Sequence, residues 1–370
     1  MPCENERAGM TPLEAEIRRM IAADGPISVA TFMSLCLGHP AHGYYTTRDP
    51  FGRGGDFITA PEISQMFGEL IGLWAAAVWQ MMGAPARLAL VELGSGRGTL
   101  MADALRAAHI VPAFTAALDV HLVETSPVLQ RRQQETLAGT VPIAWHRDLA
   151  AVPDGPLIVI ANEFFDALPV HQAVKTPSGW HERMVGIGPD GRLAFALHPD
   201  PIPGFAALVP DGVAGVRAGA VYEWRSGDVA GEVARRVATD GAALVFDYGH
   251  VEGAAGETLQ AVGQHGFADP LATPGELDLT AHVDFAAFAR AAQAAGARVH
   301  GPLAQGAFLR RLGIEPRAAV LRANATTAQA AEIDAAVARL TGTGRGAMGA
   351  LFKAVAFADP KLGALPGFDS

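Results

Sequence analysis

The chain has 370 residues, half of them hydrophobic, which is enough for a full core in one large domain or two. Its formal net charge of −10 argues against a protein that tracks nucleic-acid backbone or an anionic membrane surface, and suits a cationic partner or cofactor. Cys3 and Cys36 supply neither a disulfide framework nor a zinc cluster, so no metal is expected and a reducing compartment is.

The start, Met1 to Arg7, has no apolar run and resembles neither a signal peptide nor an Arg-rich transit peptide, which sets a cytoplasmic expectation. Residues 11–37 read as two short helices with apolar positions at Leu13, Ile17, Met20 and Ile21, then Val29, Phe32, Met33 and Leu35. Gly52, Gly54 and Gly55 then make a shaped loop that delivers Asp56 and Phe57 to a helix start. Thr59 and Glu62 have capping-box spacing, and Ile63, Phe67, Leu70, Ile71, Trp74 and Val78 share one stripe of the helix that follows. The longest apolar stretch, 70–91, is broken by Gln80, Pro85 and Arg87, so no membrane span is expected.

Leu88 to Leu93 reads as a buried parallel strand; it stops at Gly94, Gly96 and Gly98, and a helical pattern begins at Thr99. Glycine permits positive φ or close approach of backbone to a ligand, and the helix N-terminus beyond offers unpaired N–H groups, so a ligand belongs on this turn. A dinucleotide fingerprint G-x-G-x-x-G/A fails at Thr99, which counts against NAD. With Glu92 the spacing is E-x-G-x-G-x-G, which is similar to motif I of S-adenosylmethionine-dependent methyltransferases.

The alternation continues. Asp119 to Val123 is strand-like and ends in Glu124; Val128 to Leu137 is a helix after Ser126-Pro127; Val141 to Trp145 is strand-like and ends near Asp148. Leu157 to Ala161 and Ala243 to Phe246 are further strands, the last ending in Asp247. The pattern predicts an α/β class, a doubly wound Rossmann-like parallel sheet with right-handed crossovers, whose ligands lie beyond the strands' carboxyl ends. Val170–Val174, Trp180–Ile187 and Leu193–Leu197 read as an inserted β-hairpin subdomain; a helix over Asp228–Thr239 returns to the sheet. A helical piece over Ala318–Thr341 precedes a closing strand at Leu351–Phe357. The expected domains are an N-terminal helical segment with a Gly-rich lid loop (1–85), a catalytic domain (86–358) with insertions at 170–228 and 315–345, and a tail (359–370).

Glu124 sits where an acid accepts two hydrogen bonds from vicinal ribose hydroxyls, a role common to NAD enzymes and methyltransferases. Asp148 is placed either for an adenine amino group or for a helix N-cap. Glu163 and Asp166, three residues apart behind Asn162 and flanking Phe164 and Phe165, suit a planar guanidinium: paired acids could orient one nitrogen and take its proton. His42, His171, His250 and His282 lack metal-ligand spacing, and no G-x-S-x-G elbow supports acyl transfer at Ser64 or Ser126.

GDFITAPEISQMFGEL, VELGSGRGTL, HLVETSP, ANEFFDALPVHQ, LVFDYGH and DLTAHVDF occur in an order that resembles the MidA-like family of S-adenosylmethionine-dependent methyltransferases, over roughly residues 40–357. That family includes a mitochondrial complex I assembly factor that acts as a protein arginine methyltransferase. The resemblance implies a seven-stranded class I methyltransferase fold with an N-terminal helical and loop extension, S-adenosylmethionine as donor, and ω-N methylation of an arginine. It further implies a protein substrate, such as a subunit of the quinone arm of complex I, and a role in complex I assembly. Under it Gly94, Gly96 and Gly98 with Glu92 take the methionine portion, Glu124 the ribose and Asp148 the adenine, while Asp56 and Phe57 close over the ligand. Glu163 and Asp166, with Asn162 and Asp247, take the arginine. Ser95 stands where relatives often carry proline. Eukaryotic members act in the mitochondrial matrix; this chain is expected in a bacterial cytoplasm. Two rival readings are a scaffold that keeps the fold and assists assembly without catalysis, and a small-molecule methyltransferase, which the inserted subdomain disfavours.

Overall fold

Aliphatic runs closed by turn residues form the sheet of one of two compact units, composed of Phe51–Phe165, Gly227–Gly249 and Phe285–Ser370. The structure, a computed structural model, describes residues 9–50, 58–263 and 266–368. Asp56 and Phe57, and the glycine loop that carries them, lie outside the described residues. The strands are β1 (Leu88–Leu93), β2 (Leu118–Val123), β3 (Ile143–His146), β4 (Leu157–Asn162), β5 (Gly241–His250), β6 (Arg298–Ala304) and β7 (Phe352–Ala358). Their order is β6-β7-β5-β4-β1-β2-β3. The pairs β5–β4, β4–β1, β1–β2 and β2–β3 are parallel, whereas β7 runs antiparallel to both β5 and β6. The molecule is thus mixed α/β with a central, mostly parallel sheet.

Register decides where chemistry can occur. Leu93 lies opposite Val123 and Ala161, and Phe246 lies opposite Asn162. Consequently Gly94, Glu124, Asn162 and Asp247 all emerge at one edge, where the strands leave their carbonyl ends. That edge is the standard ligand side of an open parallel sheet.

The sheet is covered by helices whose apolar stripes form one continuous core, including Phe67, Ile71, Trp74, Leu90, Leu100, Ile158, Leu244 and Ala356. Helix α1 (Ala60–Ile63) is a single turn; α2 (Gln65–Met81) follows after a break at Ser64, and α3 (Thr99–Ala108) packs on α2. At Gly72 a Cβ would fall 2.4 Å from the Ala104 carbonyl oxygen, so only glycine lets the two helices approach this closely. The expected capping box does not form. Thr59 makes no side-chain cap bond, and Ser64, with its side chain accepting from the Met66 N–H, starts the long helix instead. The expected helix over Ala318–Thr341 is two, Ile314–Arg322 and Thr327–Thr341, because Thr326 and Gln329 form a capping box that restarts the chain.

The other unit comprises Met1–Pro50, Asp166–Ser226 and His250–Asp284. Its helices, Pro12–Asp24 and Val29–Gly38, start at Thr11 and Ser28, which cap the Glu14 and Thr31 N–H groups. In its antiparallel sheet Ile27–Ser28, Gly179–Ile187, His171–Thr176 and Val221–Trp224 lie side by side, with Leu193–Leu197 also pairing with Gly179–Ile187. Trp180, Phe205, Val213 and Tyr222 fill a small core of its own. Among the described residues no helix is long and apolar enough to cross a membrane.

Candidate active site

A cleft in the sheet unit is lined by Glu92, Gly94, Ser95, Gly96, Asn162 and Glu163, together with Thr59, Glu62 and Thr99. Five residues singled out from the sequence, Glu92, Gly94, Gly96, Asn162 and Glu163, therefore meet at one place. The turn is built as its glycines require: φ is +62° at Gly94, +51° at Gly96 and +82° at Gly98, the N-cap of α3. At Gly94 a Cβ would also fall 2.8 Å from the Phe164 ring, so the turn is glycine for two independent reasons. The Gly98 N–H bonds back to the Ser95 carbonyl at 2.7 Å, closing the turn.

The two acids beside the turn are buried. Glu92, 3% exposed, is pushed up to about 8 by burial, then by the nearby Glu124 carboxylate, against a partly compensating bond from the Met101 N–H. Its Oε2, the Ser95 hydroxyl and the Asn162 Oδ1 are buried without a hydrogen-bond partner among the described residues. Glu124 is also raised, chiefly by burial. Its Oε1 accepts from the Ser126 N–H at 2.8 Å and its Oε2 from Gln133 Nε2 at 3.1 Å.

Gln133 is a residue that motif reading missed. Fully buried, it donates from Nε2 to the Gly96 carbonyl (2.9 Å) and to Glu124, while its Oε1 accepts from Trp145 Nε1 (2.9 Å). The signal was present: Gln133 falls four residues after Leu129 and four before Leu137, on the buried stripe of the helix Pro127–Thr136, where a polar side chain needs a reason.

A stability prediction follows from Glu92. Its proton is held in the folded protein up to about 8 but is lost near the ordinary glutamate value of 4.5 when unfolded. Between those values the folded state binds the extra proton, so stability falls as pH rises, by up to about 1.4 kcal/mol per pH unit. Glu92→Gln should flatten this slope. Thermal melts of the ligand-free protein between about pH 5 and about pH 8 check it; equal slopes for wild type and variant would refute the shift.

Across the cleft, Glu163 has φ +51°, a left-handed backbone that glutamate rarely adopts. Its N–H bonds to the Phe246 carbonyl at 2.9 Å, and its Oε1 accepts from Asn162 Nδ2 at 3.1 Å and from the Ala60 N–H at 3.3 Å. Strain of this kind persists where neighbours over-determine it, and functional sites are where it collects. At Asp247 the Oδ2 accepts from the Phe165 N–H and the Oδ1 from the Tyr248 N–H, both at 2.9 Å, so this side chain fixes the loop behind Glu163.

Asp148 is exposed, and its Oδ1 caps a short 3-10 turn by accepting from the Ala151 N–H at 2.9 Å, the alternative its position offered. Asp166 belongs to the other unit, where it is 4% exposed and its carbonyl accepts from the Ala281 N–H and from Arg225 Nη2. Arg225 also bonds the carbonyls of Leu168, Ala281 and His282, and so clasps the Asp166 segment to that unit.

Glu62 does not complete a capping box with Thr59. Instead it lines the cleft, with its Oε1 accepting from the Thr99 hydroxyl at 2.5 Å.

Residues 70–303 match the profile of a family of S-adenosyl-L-methionine-dependent methyltransferases. The chain is 40% identical to the mitochondrial protein arginine methyltransferase NDUFAF7 of Mus musculus, covering 86% of this chain and 78% of that protein. It is 41% identical to the Homo sapiens counterpart, over 86% and 77%. Its structure is similar to the crystal structure of a superfamily member from Burkholderia thailandensis bound to S-adenosyl-homocysteine. The TM-score is 0.83 and the identity 31%, covering 100% of this chain and 97% of that one.

Proposed function

Because the chain belongs to this family of S-adenosyl-L-methionine-dependent methyltransferases, we propose that its acceptor is an arginine guanidinium in a protein substrate. The cofactor fits the cleft: buried orphan atoms on Glu92, Ser95 and Asn162 await polar partners beside the glycine turn. When bound, S-adenosyl-L-methionine supplies an electrophilic methyl group on a sulfonium.

The residues divide the rest. The Gly94–Gly98 turn, with Glu92, holds the methionyl portion; Glu124 takes the ribose hydroxyls; Asp148 takes the adenine amino group through the oxygen its cap leaves over. Glu163 binds the guanidinium, and Asn162 orients Glu163 through the 3.1 Å bond between them. Glu163 accepts the proton that the attacking nitrogen loses as its new bond to carbon forms and the old carbon–sulfur bond breaks. We read the sheet as the seven-stranded class I methyltransferase arrangement, with the N-terminal helices and hairpin insertion as its extensions. The substrate is a subunit of respiratory complex I, whose assembly the methylation supports, and the site of action is the bacterial cytoplasm.

The observation that carries this reading is Glu163, a carboxylate held in left-handed backbone at the lip of the glycine turn's cleft. Incubating the purified protein with methyl-labelled donor and an extract of cells lacking it, then mapping the label by peptide mass spectrometry, tests it. Label on an arginine is the expected result; label on a small molecule or on another side chain overturns the acceptor.

A further inference from the structure

We propose that Glu62 is the acceptor for the α-ammonium of the cofactor's methionyl end, so that this end is read as a whole zwitterion. The inference rests on the cofactor reading above and deepens it.

An α-amino acid carries its carboxylate and its ammonium on the same carbon, so whatever site takes one fixes the neighbourhood of the other. The N-terminus of α3, with its first-turn N–H groups beyond Gly98, favours the carboxylate. The Ser95 hydroxyl, 6% exposed and without a partner among the described residues, is a further donor in the same cleft. The ammonium then needs an acceptor within one or two bonds of that helix start. Glu62 is bonded to Thr99, the first residue of α3, at 2.5 Å and lines the cleft.

The other carboxylates of the cleft are less suited. Glu92 holds its own proton up to about 8 because it is buried beside Glu124. Glu163 already accepts from Asn162 and from the Ala60 N–H. The short helix α1 explains how Glu62 gets there. Its Ala60 end is tied to Glu163 and its Glu62 end to Thr99, so this single turn spans the cleft between the strand β4 acid and the glycine turn. The break at Ser64 lets it turn independently of α2.

Calorimetric titration of the full chain with S-adenosylhomocysteine, and with the analogue in which hydrogen replaces the α-amino group, tests the assignment. Wild type should prefer S-adenosylhomocysteine by about tenfold or more, the worth of a charge-assisted hydrogen bond. Glu62→Gln should bind the two ligands within about twofold of each other, and the loss should fall on S-adenosylhomocysteine alone. If Glu62→Gln keeps the wild-type preference, or weakens both ligands equally, Glu62 acts only through Thr99 and the proposal falls. Wild type that binds neither ligand would sink the cofactor reading itself, a different result. Should the glutamine variant not fold, Glu62→Asp is read instead, with a preference smaller than wild type expected and an unchanged one overturning the idea.

Discussion

Glu163→Gln is expected to lower the rate of methyl incorporation by about 10²- to 10⁴-fold, the usual contribution of a positioned general base. The dissociation constant for S-adenosylhomocysteine should stay within about threefold of wild type. Glutamine keeps the shape and can still accept at Oε1 from Asn162 and the Ala60 N–H, so the left-handed turn at 163 survives. What disappears is the carboxylate proposed to pair with a guanidinium and receive its proton. Initial rates with labelled donor, set against calorimetric binding, separate the two effects. A variant with wild-type rate would remove Glu163 from the chemistry, and one that also failed to bind S-adenosylhomocysteine would recast it as a cofactor residue.

The second large effect is expected at Gly94. An alanine there meets φ +62°, which costs about 1–2 kcal/mol for an L side chain, and its Cβ lies 2.8 Å from the Phe164 ring. Phe164 packs edge-on against Phe165, which in turn contacts Phe288, so the ring has little freedom to retreat. Gly94→Ala should lose about 2–4 kcal/mol of stability and weaken S-adenosylhomocysteine binding by about a hundredfold or more. Gly139→Ala is the control. Its φ of +77° is equally left-handed, but nothing lies within 4 Å of the added carbon, so it should cost stability and leave binding alone. Equal binding by both variants would refute the account. Urea unfolding and calorimetry supply the readouts.

Much of this architecture was legible because its signals are local. The strand Leu88–Leu93 and the glycines after it announce themselves by hydrophobic run and chain-breaking residue, and the parallel order follows from strand and helix alternating. The helix Phe285–Ala294 and the strand Arg298–Ala304 went unread, since abundant alanine flattens helical periodicity and His300 and Pro302 interrupt the strand pattern. Pairing between distant segments was invisible altogether. Ile27 stands opposite Val185, which is why the first fifty residues group with 166–226 rather than with the helix that follows them. For the same reason the spacing that joined Glu163 to Asp166 could not tell that the chain changes unit between Phe165 and Asp166. The backbone sign at Glu163 and the routing of Glu62 to Thr99 are likewise tertiary properties.

The amide of Gln133 bears on how Glu124 is kept in order. Both ends of that side chain are spoken for with opposite polarity, hydrogens toward Gly96 and Glu124 and oxygen toward the Trp145 indole. An amide neither gains nor loses a proton across the physiological range. Glu124, the acid proposed for the sugar, is therefore braced by a dipole that does not itself titrate, whereas a histidine or a carboxylate in the same seat would change its own bonding with pH.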